Sequence, residues 1–466
     1  MRHDSLFRLR LTGKLLNATP MLAVALLLGV SMGGCNAVDP YNIIGRRAPD
    51  HEMPNTPVPI IDANWKQTAL DIVWTTINER YYDPKLNGVD WRAVRDRYAP
   101  QLRATQSDAQ FWELLDKMTG ELKDSHTRVH SPQLVAQQRA SESHSLGIGF
   151  IALDGALVLT SVHPDSDAYW AGARAGMTIK TIDGAPALPL YERLVSLARD
   201  TSTPWARTRG ALRKISSGDI GTPVSMSFVR TDGHEIDANM KRRKFRNPTE
   251  FTHRLLPSGF AYIRFSNFVG SLQSELLSAI DSMKASPGLI LDLRNNGGGS
   301  LAMAQRLVSK FLSTPTPGGK TLTRTGKPIS LFFIDTIKLT TELKGNKADA
   351  YTKPLVILTN EGSASASEVT AATLQDLARA TVIGQRSCGC LLGYLGMADL
   401  PGGAQMAYSE IGFVTPNGKR IEGEGVIPDR VIALTRDDYV QNRDRILEAA
   451  EAFLMTNQQL TVKAEK

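Results

Sequence analysis

Cysteine is scarce in this chain: three in 466 residues, and none stands at a Cys/His spacing of the zinc-binding type, so no metal is implied. Neither sign of charge dominates. The formal excess of +7 contains no dense basic run, which argues only weakly for nucleic acid or a membrane surface as partner. Internal repeats and low-complexity tracts are absent, which excludes solenoids and fibrous arrays. The one markedly apolar run near the N-terminus, Met21–Val30, is too short to span a bilayer comfortably. What remains is ordinary globular material, 42% apolar and 22% charged, long enough for two or three domains.

Residues 1–35 read as an export signal rather than as fold. Arg2, Arg8, Arg10 and Lys14 give a basic start, the apolar run follows, and small residues close it. The segment ends "SMGGC", which resembles the lipobox of bacterial lipoproteins, with Cys35 as the lipidated residue and Asn36 after it favouring the outer membrane. An ordinary cleaved signal is the other reading. Loss of residues 1–34 removes four Lys/Arg and Asp4, leaving +4. The expected location is the periplasmic face of a bacterial cell envelope. Residues 36–62 carry five prolines and no periodicity, as a tether does.

Beyond the tether the pattern falls into four parts. Residues 63–142 show three helical stretches with apolar spacings of three and four, the third capped by Ser107 or Asp108, and end in a loop, "LKDSHTRVHSP". Residues 143–243 are short strands with glycine-rich turns and a helical insertion at about 191–215. Residues 244–436 alternate near-continuous apolar strands with helices, the mark of a buried, mixed and largely parallel sheet. Residues 437–466 form a C-terminal helix and tail, with Thr435 and Asp438 at capping-box spacing. The fold class is an α/β core with a small β domain and an N-terminal helical domain.

In an open α/β sheet, ligands bind beyond the carboxyl ends of the strands. "LILDLR" runs into "NNGGGS", whose glycines let backbone approach a ligand. "LVILTN" runs into "EGSASASE" and then a helix. A serine at such a turn is exposed at the sheet edge and gains from the helix N-terminus, although the same serine also suits a capping role.

Together "LILDLRNNGGGSL", "NEGSASASEVTAATLQD" and "NGKRIEGEGVIPD" resemble the C-terminal (tail-specific) processing peptidases and their relatives in the tricorn-core and retinoid-binding group. "GIGF…SDAYWAGARAGMTIKTIDG" is similar to a PDZ domain, and "LKDSHTRVHSP" to the end of the family's helical domain. The resemblance implies a crotonase/ClpP-like core with a PDZ-like domain, and a serine endopeptidase without a cofactor. Its nucleophile would be Ser365. The processing peptidases take the serine proton with a lysine twenty-five positions on, helped by a glutamine four further. Here those positions hold Cys390 and Tyr394, and no lysine occurs between Lys353 and Lys419. The tricorn-like branch uses a histidine and a glutamate instead, which here are His126 and Glu422, with Glu424 as rival. His126 as a merely structural residue is the alternative, and His130, His144 and His163 stand in no motif. The oxyanion hole would be the amides of Ala366 and Gly298.

The same resemblance gives Leu146, Gly147, Ile148, Gly149 and Phe150 as the loop that captures a substrate's C-terminal carboxylate, so the expected partners are proteins or peptides with exposed C-termini. The competing function is an inactive peptide- or apolar-ligand-binding protein on the same frame. Cys388 and Cys390 suit either a disulfide or a reduced pair.

Overall fold

The computed structural model describes residues 64–139, 143–245, 250–331 and 334–464. The export segment, Cys35 and the tether lie outside the described residues.

The helical part is built from α1 (Trp65–Arg80), α2 (Trp91–Arg103) and α3 (Asp108–Gly120). Asp90 caps α2 by accepting the Ala93 N–H, and Ser107, one of the two predicted caps, accepts from Gln110 at the head of α3. The loop expected after α3 contains a short strand, β1 (Arg128–His130). A three-residue strand has too little periodicity to read, and β1 exists because a distant strand pairs with it.

The middle domain is an antiparallel sheet whose five main strands are β2 (Ile148–Leu153), β3 (Ala156–Val162), β4 (Thr178–Ile182), β5 (Pro223–Val229) and β6 (Glu235–Lys241), in that spatial order, with the two residues Ala185–Pro186 paired to β4 as a sixth. Two helices, α4 (Ala187–Leu197) and α5 (Pro204–Ser216), fill the predicted insertion. Alternate residues of the strands, such as Leu157, Leu159, Met226 and Phe228, face a common core with Ala211, Leu212 and Ile215 of α5.

The third part is the α/β core. Its main strands are β7 (Phe251–Leu255), β8 (Ala261–Phe265), β9 (Leu289–Asp292), β10 (Thr316–Thr323), β11 (Thr340–Leu343), β12 (Leu355–Thr359), β13 (Thr381–Gly384), β14 (Gln405–Ala407), β15 (Ile411–Val414) and β16 (Arg430–Val431). Six of them make one sheet in the order β7-β8-β9-β12-β13-β16. Only the β7–β8 pair is antiparallel. Side chains alternate between two apolar layers. Leu289, Leu291, Leu355 and Ile357 face α6 (Gln273–Ser282), α7 (Leu301–Lys310) and α8 (Ala366–Asp376). Ile290, Val356, Leu358 and Ile383 face the C-terminal helix α9 (Arg445–Ala464) through Ile446, Ala450 and Leu454. Coverage on both faces explains why these strands read as unbroken apolar runs.

A smaller sheet, β11-β10-β15, stands beside the main one. Its strands, such as "TPGGKTLT", are too rich in glycine and threonine to stand out in the sequence. The single C-terminal helix expected from about residue 437 is two helices. The Thr435–Asp438 capping box starts a short one, Arg436–Val440, and Asn442 then takes a left-handed φ of 50° that ends it before α9.

The three parts interlock. β1 pairs antiparallel with β14, Val129 opposite Met406. Leu392, Leu400, Met406 and Tyr408 of the core chain are packed into the helical domain's apolar cluster. The Arg324 guanidinium donates to the carbonyls of Asn78 and Tyr81. This docking carries the loop after α3 to the sheet edge where the glycine turn and the serine run emerge.

Candidate active site

β9 and β12 are adjacent parallel strands with Asp292 beside Leu358, so the loops at their carboxyl ends emerge side by side. The serine run follows β12. Ser363 and Ser367 are fully buried and donate their hydroxyls to the carbonyls of Leu293 and Asn296. Ser365 is half-buried at the N-cap of α8, and its hydroxyl donates to no group among the described residues. Its backbone, φ 54° and ψ −118°, is one that non-glycine residues rarely adopt, the conformation of a side chain thrust out at a sharp strand-to-helix turn. Two serines are structural, and the third faces the cleft.

Gly298 lies against that turn with φ +93°. A Cβ there would stand 2.6 Å from the Ser365 Cβ and 2.8 Å from the Ala366 nitrogen, so only glycine fits. The two predicted oxyanion residues are therefore neighbours. The Gly298 N–H is donated to the Asn296 side-chain oxygen at 3.0 Å.

His126 and Ser365 line one cleft of about 1680 Å³. The loop holding His126 is fixed by the buried Asp124 carboxylate, which accepts the His126 N–H at 2.7 Å and the hydroxyls of Thr127 and Ser409. Burial drives the His126 pKa down, with the Asp124 charge opposing, so the imidazole is neutral at neutral pH. Its Nδ1 is buried without a hydrogen-bond partner. No hydrogen bond joins the ring to the Ser365 hydroxyl in this structure.

Glu422 is buried and accepts the N–H groups of Leu391, at 2.6 Å, and Leu392, at 3.2 Å, through Oε2. Its Oε1 is buried without a partner. Burial first, and then the Asp124 charge, push its pKa up to about 8, while Ser202 and the Leu391 amide oppose the rise. Leu391 and Leu392 line the cleft with His126, so the carboxylate sits directly behind its wall. Glu424, the rival, is exposed.

His130 bonds Gln138, and His144 and His163 belong to the β domain.

One residue that the sequence reading passed over is central. Glu368, fully buried in the first turn of α8, accepts the Ser365 N–H, the Ser387 hydroxyl and the N–H groups of Gly389 and Cys390. Burial pushes its pKa up to about 7 against these four donors. The capping-box spacing Ser365–Glu368 was a signal for it. Cys388 and Cys390 form a disulfide, and the Cys390 carbonyl accepts the Ser365 N–H at 3.0 Å. The loop at 387–391 thus supports the serine turn through its backbone.

The apolar side chains of Val269, Leu301, Val369, Leu391, Leu392 and Phe413 also line the cleft, as do Lys338 and Lys344. Among the described residues no group of three or more His, Cys, Asp or Glu side chains is placed to hold a metal ion. In the β domain, β2 is the edge of its sheet and α5 lies beside it. Leu146, Ile148 and Phe150 are buried in that domain's core. The Leu146 N–H is donated to Ser216 O at 3.1 Å and the Gly147 N–H to Ser145 Oγ at 3.2 Å, and Gly149 packs against Ser161.

The model described as peptidase family S41 matches residues 259–432, and that described as tricorn protease C1 domain matches residues 62–120. The chain is 29% identical over 375 residues to the chloroplastic C-terminal processing peptidase of Tetradesmus obliquus, covering 76% of this chain and 75% of that protein. It is 27% identical over 381 residues to the carboxyl-terminal-processing protease of Synechocystis sp., covering 79% and 81%. Among solved structures it resembles the photosystem II D1 C-terminal processing protease, with a TM-score of 0.52 at 25% identity over 79% of this chain and 93% of that one. Mature CPAF shares the fold, with a TM-score of 0.63 at 17% identity over 86% and 99%.

Proposed function

We propose that this chain, which belongs to peptidase family S41 and is a serine-type peptidase, cleaves protein substrates with a Ser365–His126–Glu422 triad. The observation that carries the reading is a pair of orphans. His126 Nδ1 and Glu422 Oε1 are both buried without partners beside the cleft that Ser365 enters. A buried polar atom left unpaired costs roughly 1–3 kcal/mol, which a catalytic arrangement that unites the two recovers.

In this reading the neutral imidazole takes the Ser365 proton as Oγ attacks the scissile carbonyl, and the Glu422 carboxylate stabilises the imidazolium. The tetrahedral oxyanion meets the Ala366 N–H and that of Gly298, which leaves the neutral Asn296 oxygen for a charged acceptor. Collapse passes the proton to the leaving amine, and water then releases the acyl group from Ser365.

The substrate is a polypeptide. A cleft of about 1680 Å³ exceeds the roughly 300–1,000 Å³ usual for small-molecule sites and suits an extended chain. The β domain acts as a PDZ domain that adds the substrate's C-terminal end as a strand along β2, with its carboxylate at the Leu146–Phe150 turn. The protein is lipid-anchored through Cys35 and works at the periplasmic face of the outer membrane.

A fluorophosphonate probe tests the triad. Wild type labels, Ser365→Ala does not, and His126→Ala labels at least about 100-fold more slowly. Labelling that survives His126→Ala and is lost in Cys390→Ser would move the base to the cysteine loop. Absence of labelling and of proteolysis, with peptide still bound, would favour the inactive binding protein.

A further inference from the structure

The disulfide between Cys388 and Cys390 closes a ring over one residue, Gly389, and every backbone polar group of that ring is in use. The Cys388 N–H donates to Ser363 O at 2.9 Å, and the Cys388 carbonyl accepts the Thr203 hydroxyl at 2.8 Å. The Gly389 N–H donates to Glu368 at 2.7 Å, and the Gly389 carbonyl accepts the Gly423 N–H at 2.9 Å. The Cys390 N–H donates to Glu368 at 3.0 Å, and the Cys390 carbonyl takes the Ser365 N–H, also at 3.0 Å. Three residues thus tie the serine turn to the β domain and to the neighbour of Glu422. On the side-chain face, Cys390 Sγ lies 3.4 Å from Ser125 Oγ, one residue before His126. Ser125 is itself held by Ser202 of the β domain, each backbone N–H donating to the other's hydroxyl, at 2.9 and 3.1 Å. The ring is closely packed: a Cβ on Gly389 would stand 2.6 Å from the Thr203 methyl and 2.9 Å from the Gly425 nitrogen.

We propose that this disulfide is a redox switch on the nucleophile: closed, it holds the turn that presents Ser365, and opened by a dithiol, it loosens that turn and slows acylation. The inference rests on Ser365 as the nucleophile in the reading above, and not on which group takes its proton. A role as a plain staple is disfavoured by the ring's size. The entropy that a crosslink removes from the unfolded chain grows with loop length, so a ring over one residue stabilises the fold least and acts locally. The two sulfurs differ in access, Cys388 being partly exposed and Cys390 only 4% exposed. A thiolate of the dithiol therefore attacks Cys388 Sγ, forms a mixed disulfide and expels Cys390 as a thiolate beside the Ser125 hydroxyl. The second thiolate of the reductant then displaces Cys388. The reductant leaves as a disulfide, and two electrons and two protons have passed to the cysteines. Two thiols each need a van der Waals shell where a bond stood, so the side chains must part. Cys390 is buried against Ser125, and its movement passes either to the His126 loop or, through its own carbonyl, to the Ser365 N–H. Either route displaces a group at the site.

The test follows fluorophosphonate labelling of Ser365 in the full chain, oxidised and after excess dithiothreitol that is removed before the probe is added. Alkylation, read by mass spectrometry on the peptide carrying both cysteines, reports the state of the bond, and a thermal melt reports folding. Reduction should slow labelling about tenfold, short of the roughly 100-fold that a displacement of about 1 Å costs. Reoxidation with oxidised glutathione should restore the rate, a reversal that needs no variant and so does not depend on one folding. The double variant Cys388→Ser/Cys390→Ser should label at the reduced rate with or without the dithiol. Three results would overturn the proposal: reduced, doubly alkylated protein that labels at the oxidised rate; a disulfide that survives excess dithiothreitol in the folded chain; or an equal slowing by the dithiol in the double variant. Absence of labelling in the oxidised protein would remove the nucleophile reading and this inference with it. Labelling indifferent to the dithiol would remove this inference alone.

Discussion

At the scale of single residues, the site depends on atoms that tolerate no substitution. Gly298→Ala would place a methyl group against the Ser365 Cβ at a φ of +93°. We expect a loss of kcat of about 100-fold or more, comparable to removal of an oxyanion donor, measured with the quenched peptide. The pH dependence follows from Glu422. Its pKa is raised, so it is protonated at neutral pH and gains its charge as the pH climbs toward 8, whereas His126, with a lowered pKa, is already neutral. Activity should rise on the alkaline side of neutrality, and Glu422→Gln should abolish the limb. The effect on stability has the opposite sign. A carboxyl whose folded pKa lies above its unfolded value of 4.5 binds more protons when folded, so stability falls as pH rises through that window. Glu368→Gln should make the unfolding midpoint less dependent on pH between about 5 and 7, read by thermal melts across that range. Which of the three serines faces the cleft could not be read from their alternation, because the distinction lies in partners on other loops.

At the scale of elements, the serine turn is held by the loop at 387–391 together with the first turn of its own helix. Glu368 gathers four donors from the turn and that loop, and the Cys390 carbonyl takes the Ser365 N–H. Glu368→Ala would strand these groups in the interior. It should lower stability by roughly 3–5 kcal/mol in denaturant titrations and slow fluorophosphonate labelling. Most helices and main-sheet strands were legible, since apolar periodicity and caps such as Asp90, Ser107 and Thr435 declare themselves locally. β1, β10, β11 and β15 were not, because short strands of threonine, glycine and charge exist only where a partner is supplied. The split of the last helix turned on the backbone of Asn442.

At the scale of the whole molecule, the site is assembled from three regions far apart in sequence. His126 comes from the helical domain, Ser365 and Glu422 from the core, and the segment around Ser202 from the β domain. Arg199 holds this junction: it is almost wholly buried, donates to two carbonyls beside His126, and lies 3.7 Å from Asp116. Arg199→Met should cost about 3–5 kcal/mol by leaving Asp116 short of a buried partner, seen in urea titration. It should lower kcat more than KM, because it loosens the loop that carries His126, the base in the reading proposed above.

The sequence by itself determined the family motifs, the α/β core with two further domains, and the residue types available for catalysis, including the absence of a lysine. Those features are written in local periodicity and spacing. Only the tertiary structure decided that the first domain reaches the serine's cleft, that Glu422 rather than Glu424 is buried behind it, and that Glu368 and Ser202 belong to its surroundings. These depend on strand order, burial and partners from distant loops, none of which has a signature along the chain.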